Sequence, residues 1–137
     1  MYKRIIVCLD GSAGDRALVE HVAALARLHG SALVLIRVGT SGPWDAIVGD
    51  AQDIETYLAR LREELLAKGL AVEIVAAAGD PARTILEQAE ALGCDLIAMS
   101  SHGHRGLMDL LLGSVAAAVR HAARVPVLLL RGDPGAR

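Results

Sequence analysis

With 137 residues, 53% of them hydrophobic, the chain can build one domain around one core, and a net charge of −2 leaves no basic footprint for nucleic acid or an anionic membrane. No apolar run approaches the ~20 residues of a membrane span, and the one in "MYKRIIVCLDGS" is too short for a signal-peptide core. Two cysteines, Cys8 and Cys94, make no disulfide framework and point to a reducing compartment, so a soluble cytoplasmic domain is expected.

From Arg4 to Leu9 the chain is apolar and rich in β-branched residues until Asp10-Gly11-Ser12 stops it, the pattern of a parallel strand covered on both faces. From Gly14 to Leu28, apolar Ala17, Leu18, Val22, Leu25 and Leu28 keep helical spacing, and Gly30 stands where a left-handed cap ends a helix. Ala32 to Val38 reads as a second buried strand. "GTSGPWDAIVGD", Gly39 to Asp50, reads as a long loop, either a functional segment or a stretch without order. Asp53 to Lys68 carries one apolar stripe (Ile54, Tyr57, Leu58, Leu61, Leu65), and Gly69 closes that helix. Ala71 to Ala77 is a third strand. In "GDPARTILEQAEALG", Asp80 is an N-cap, Pro81 the first helical residue, and Gly93 lies past the end. Asp95 to Met99 is a fourth strand, Ser114 to Ala123 a fourth helix and Val127 to Leu130 a fifth strand, before the polar tail "RGDPGAR".

Five strands alternating with four helices predict an α/β fold with an open parallel sheet. Right-handed crossovers make such a chain wind one way and then reverse, and ligands sit beyond the strands' carboxyl ends at the reversal. If strands one and four are neighbours there, "LDGS" and "SSHGHRG" face each other across one crevice. In the second segment Gly103 and Gly106 permit positive φ and close approach of a ligand to main-chain N–H groups. Gly113 and Ser114 would open a helix whose free N–H groups favour phosphate. Ser100, Ser101 and Ser114 add hydroxyls, and His104 and Arg105 add charge at the rim. A plain loop with Ser114 as an ordinary helix cap is the alternative. Asp10, at a strand end, can accept hydrogen bonds from a ribose, or it can be a turn residue with Gly11. No Gly-Lys-Ser/Thr and no Gly-x-Gly-x-x-Gly after the first strand occur, which excludes a P-loop and a dinucleotide fingerprint.

From Ile5 to Arg131 the chain resembles the universal stress protein family. The resemblance rests on "DGS", on "GDPARTILEQAEALGCDLIAMSSHG", on "GSVAAAVRHAARVPVLLLR", and on two of three parts of the family's Gly-x2-Gly-x9-Gly-Ser/Thr signature. Gly103, nine intervening residues, Gly113 and Ser114 match it, while Ser100 stands where the first glycine belongs. His104 replaces a common Arg, with Arg105 adjacent, and Cys8 replaces a usual proline. The resemblance implies one Rossmann-like domain over residues 1–131 with a tail at 132–137, strand order 3-2-1-4-5 and helices on both faces. It further implies an adenine nucleotide (ATP, with AMP or ADP as variants) accompanied by Mg²⁺. Asp10, with Gly11 and Ser12, would meet the ribose, and the Val38 main chain the adenine edge. Gly103, Gly113 and Ser114 would hold the phosphates, with Ser100, Ser101, His102, His104, Arg105, Gly106 and Val115 around them. A homodimer through antiparallel pairing of Val127–Leu130 is implied as well, an apolar edge strand being open to such pairing.

The histidines show no metal-ligand spacing; His21, His29 and His121 are expected on helix surfaces, and protein-held metal is not expected. Ser101 and His102 are adjacent in sequence, which does not make them a base and nucleophile in bonding geometry, so slow ATP hydrolysis is the most that positioning alone would give. Cys8 is expected buried and inert, Cys94 a weak redox candidate. Two functions stay open: a nucleotide-occupied dimeric stress sensor, favoured by the retained glycines, and an interaction protein of the same fold with an empty crevice, favoured by Ser100.

Overall fold

The computed structural model describes residues 1–39, 51–100 and 107–131. In chain order the elements are β1 (Arg4–Leu9), α1 (Gly14–His29), β2 (Ala32–Gly39), α2 (Ala51–Leu66), β3 (Val72–Ala78), α3 (Pro81–Ala91), β4 (Leu96–Ser100), α4 (Leu107–Ala122) and β5 (Val127–Leu130). The strands form one parallel sheet in the order β3-β2-β1-β4-β5, the order that the resemblance implied. The predicted loop beyond Gly39, at positions 40–50, and the tail at 132–137 lie outside the described residues.

The continuous apolar runs are explained by burial from both sides. Ile5, Val7, Leu9, Leu33, Leu35, Leu96 and Ala98 point to one face and pack under α1 and α2, through Leu18, Val22, Ala26, Leu58 and Leu65. Ile6, Val34, Ile36, Ile97 and Met99 point to the other and meet Ile85 and Ala89 of α3 and Ala116 and Val119 of α4. Successive residues of a strand face opposite ways, so a strand covered on both sides cannot alternate apolar with polar. Asp95 fixes the entry edge: its carboxylate accepts the N–H groups of Lys3 and Arg4 at 3.0–3.1 Å and ties β1 to the start of β4.

Helix ends follow the expected chemistry at α1 and α3. Gly30 takes φ 68° and donates its N–H to the Ala26 carbonyl. Asp80 accepts the Arg83 N–H at 2.9 Å ahead of Pro81. The fourth helix differs. It begins at Leu107, seven residues before the predicted Ser114, so Gly113 and Ser114 lie inside it and do not open it. Leu107 to Leu112 carries Leu and Met, strong helix formers, and one interior glycine costs only about 1 kcal/mol, too little to hold the start back. No described helix is long and apolar enough to cross a membrane. His21, His29 and His121 are exposed, as expected.

Candidate functional site

β1 is flanked by β2 on one side and β4 on the other, and the chain reverses its winding between β1 and β4. The carboxyl ends of these two strands carry Asp10-Gly11-Ser12 and Ser100. The reversal point inferred from the winding is therefore present between β1 and β4, with the Asp10–Ser12 turn on its β1 side. Ser101, His102, Gly103, His104, Arg105 and Gly106 lie outside the described residues. Ser100 ends β4 half-buried, Ser114 is exposed and Val115 half-buried on α4, and Val38 sits near the end of β2 in register with Ala77.

The Asp10–Ser12 turn is held from within. Asp10 accepts the Ser12 N–H on Oδ1 at 2.9 Å, the bond a turn residue makes; its Oδ2 has no partner among the described residues. Gly11 has φ 82°, a left-handed conformation that a side chain strains against. A Cβ there would stand 2.6 Å from a terminal nitrogen of Arg37, so the guanidinium occupies the space glycine leaves. Arg37 in turn lies over the Tyr57 ring at 5.2 Å, a cation–π contact that joins β2 to α2.

Asp15 fastens this assembly, and sequence reasoning missed it. Its Oδ1 accepts the Asp10 N–H at 3.1 Å; its Oδ2 accepts the Gly11 N–H at 2.7 Å and the Tyr57 hydroxyl at 2.6 Å. Only 3% of the residue is exposed. Burial pushes the carboxyl up to about 6, against the opposing pull of the Tyr57, Asp10 and Gly11 hydrogen bonds, and the Asp10 charge adds to the rise. The Tyr57 hydroxyl is raised too, by burial first and then by its bond to Asp15. In the sequence Asp15 is one acid in the first turn of a helix, and only its neighbourhood, drawn from residues 37 and 57, shows more. Beside the turn a cleft of about 310 Å³ runs between α1 and α2, edged by Ser12, Arg16, Arg60 and Glu64.

Cys94 is buried, and burial lifts its thiol to about 11, which disfavours the thiolate that a redox role would use. Cys8 is half-buried where burial was expected, and its surroundings raise its thiol well above the ordinary range, burial first.

Comparison with known proteins places the chain among relatives. The sequence model of the universal stress protein family matches residues 1–131. Universal stress protein A homolog 2 of Coxiella burnetii is 35% identical over 140 residues, covering 95% of each chain. The solved structure of MJ0577 of Methanocaldococcus jannaschii superposes with a TM-score of 0.85 at 26% identity, covering 98% of this chain and 99% of that one. A universal stress protein solved in complex with cAMP has a TM-score of 0.72 at 23% identity over 94% of this chain and 96% of its own, a likeness of fold.

Proposed function

The chain belongs to the universal stress protein family, and on that premise we propose that it binds an adenine nucleotide across the carboxyl ends of β1 and β4 and acts in stress response as a nucleotide-occupied dimer. One observation carries the reading: the winding reverses between β1 and β4, and the Asp10–Ser12 turn stands at that point with a carboxylate oxygen unengaged among the described residues. The fold-level relative bound to cAMP supports an adenine ligand.

In this reading the ribose hydroxyls donate to Asp10, beside Gly11 and Ser12, and the adenine edge meets the main chain of Val38. Ser100, Ser101, His102, Gly103, His104, Arg105 and Gly106 surround the phosphates. Gly113, Ser114 and Val115 complete the set along α4, and Mg²⁺ accompanies the phosphates. Because α4 starts at Leu107, the free N–H groups of its first turn directly follow this segment and replace Gly113 and Ser114 as the helix-terminal donors. The dimer forms through β5, which pairs with β4 alone among the described residues and whose four residues are all half-buried. The domain spans residues 1–131 and works in the cytoplasm.

Calorimetric titration of nucleotide-free protein with Mg-ATP and with AMP tests the proposal. Micromolar binding is the expected result. Absence of binding by either at millimolar ligand would contradict it and favour the interaction protein with an empty crevice, for which Ser100 in place of a motif glycine speaks. Sedimentation across a range of concentrations tests the dimer.

A further inference from the structure

Asp15 sits in the first turn of α1, yet its carboxylate makes no bond to the N–H groups of its own helix end. It reaches back to the two N–H groups of the preceding turn and across to Tyr57 on α2. A buried carboxylate with three donors aimed at it, two of them backbone groups of the candidate ligand turn, is more than a helix-start acid needs. We propose that Asp15, locked by Tyr57, is the positioning residue of the ligand site: its ionised carboxylate sets the Asp10–Ser12 turn and hence the aim of Asp10, so that ligand affinity follows its protonation. This inference rests on the nucleotide reading given above.

The chemistry of the three bonds dictates the direction. An ionised carboxylate only accepts, and its bonds to N–H groups are charge-assisted, roughly twice the strength of neutral ones. A proton on Oδ1 would confront the Asp10 N–H, which cannot turn away. A proton on Oδ2 is accommodated if the Tyr57 hydroxyl rotates to accept it, but both N–H groups then lose their charge assistance. Either way the turn is held less firmly. The groups facing the carboxylate are Cys8 and Asp10 from β1 and its turn and Tyr57 from α2, with Arg37 of β2 lying over the Tyr57 ring and acting on its hydroxyl. Burial brings the titration of Asp15 to about 6, so mild acidification acts on it. Tyr57 opposes the rise, and its hydrogen bond keeps the ionised form in place at neutral pH.

The test measures the Kd of Mg-ATP from pH 7.5 to 5 for the wild type, Asp15→Asn and Tyr57→Phe. Titration of the ligand itself is common to all three and cancels in the ratios. Wild-type affinity should fall about tenfold more than that of Asp15→Asn across this range, because one pH unit below a titrating group is a factor of ten. Asp15→Asn should bind more weakly than wild type at pH 7.5, and the two should converge at pH 5. Tyr57→Phe retains the carboxylate but loses the bond that lowers its pKa, so its midpoint should move to higher pH, a change that mere loss of packing would not give. A constant wild-type to Asp15→Asn ratio, or an unmoved midpoint in Tyr57→Phe, would overturn the assignment while nucleotide binding stands. Absence of binding by wild type at every pH would overturn the nucleotide reading and this inference together.

Discussion

Two strand-to-helix turns lie along the same edge of the sheet and solve one problem in opposite ways. β3 passes to α3 through Gly79, at φ 131°, and Asp80, whose exposed carboxylate caps the Arg83 N–H of the helix that follows. β1 passes to α1 through Gly11, also at positive φ, but the capping position holds Ala13, which makes no side-chain cap. The acid lies two residues further on, buried, and bonded backwards to the turn. The first solution is local and inexpensive, since an exposed cap adds about 1 kcal/mol and desolvates no charge. The second buries a carboxylate, raises its pKa to about 6 and draws an aromatic hydroxyl and a guanidinium from two other elements. A fold that can make the cheap turn and makes the costly one elsewhere gains something there besides connection, and perturbed titratable groups collect at functional sites for this reason.

The largest effect that separates the turns is the pH dependence of stability. Asp15 titrates near 6 in the fold and near 3.9 in an unfolded chain, so folding favours its protonated form. Its contribution is full below about pH 4 and is lost as the pH rises through 6. Between pH 7.5 and pH 4, wild type should therefore gain about 2–3 kcal/mol relative to Asp15→Asn, measured by urea unfolding of both at each pH. Opposite signs for stability and for the proposed affinity would mark a group kept ionised for function at a cost to the fold.

Next comes the glycine pair. Gly11→Ala forces a side chain into the left-handed region and against the Arg37 guanidinium at 2.6 Å; Gly79→Ala meets nothing nearer than Thr84 Oγ1 at 3.5 Å. Both should lose about 1–2 kcal/mol from backbone strain, but only Gly11→Ala should weaken nucleotide binding, by tenfold or more. Calorimetry on both variants gives the comparison. Asp80→Ala is expected to cost about 1 kcal/mol in thermal unfolding with nucleotide affinity unchanged. The smallest effect belongs to the α3 surface: breaking the Arg83–Glu87 pair, at 3.4 Å and largely exposed, should move stability by about 0.3–0.5 kcal/mol and vanish in high salt.

How much of this could be read beforehand depends on the reach of each interaction. β1 and β5 were legible to the residue, because a run bounded by Asp10-Gly11 or by Pro126 and Arg131 carries its own stops. The α3 turn was legible in the same way, its cap and its beneficiary being three residues apart. The start of α4 was not, because Gly113 resembles a boundary, whereas the leucines before it extend the helix to Leu107. Asp10, Gly11 and Ser12 were legible as a strand-end turn. Asp15 was not, since Tyr57 is 42 positions away and Arg37 belongs to another strand. Only the fold makes them neighbours of that turn.

The most direct measurement follows backbone amide chemical shifts by NMR while Mg-ATP is added at pH 7.5. The account predicts saturable shifts at Gly11, Ser12 and Val38, with Gly79 and Asp80 unmoved along the same edge of the sheet. Shifts confined to other parts of the chain, or equal movement at both turns, would contradict it.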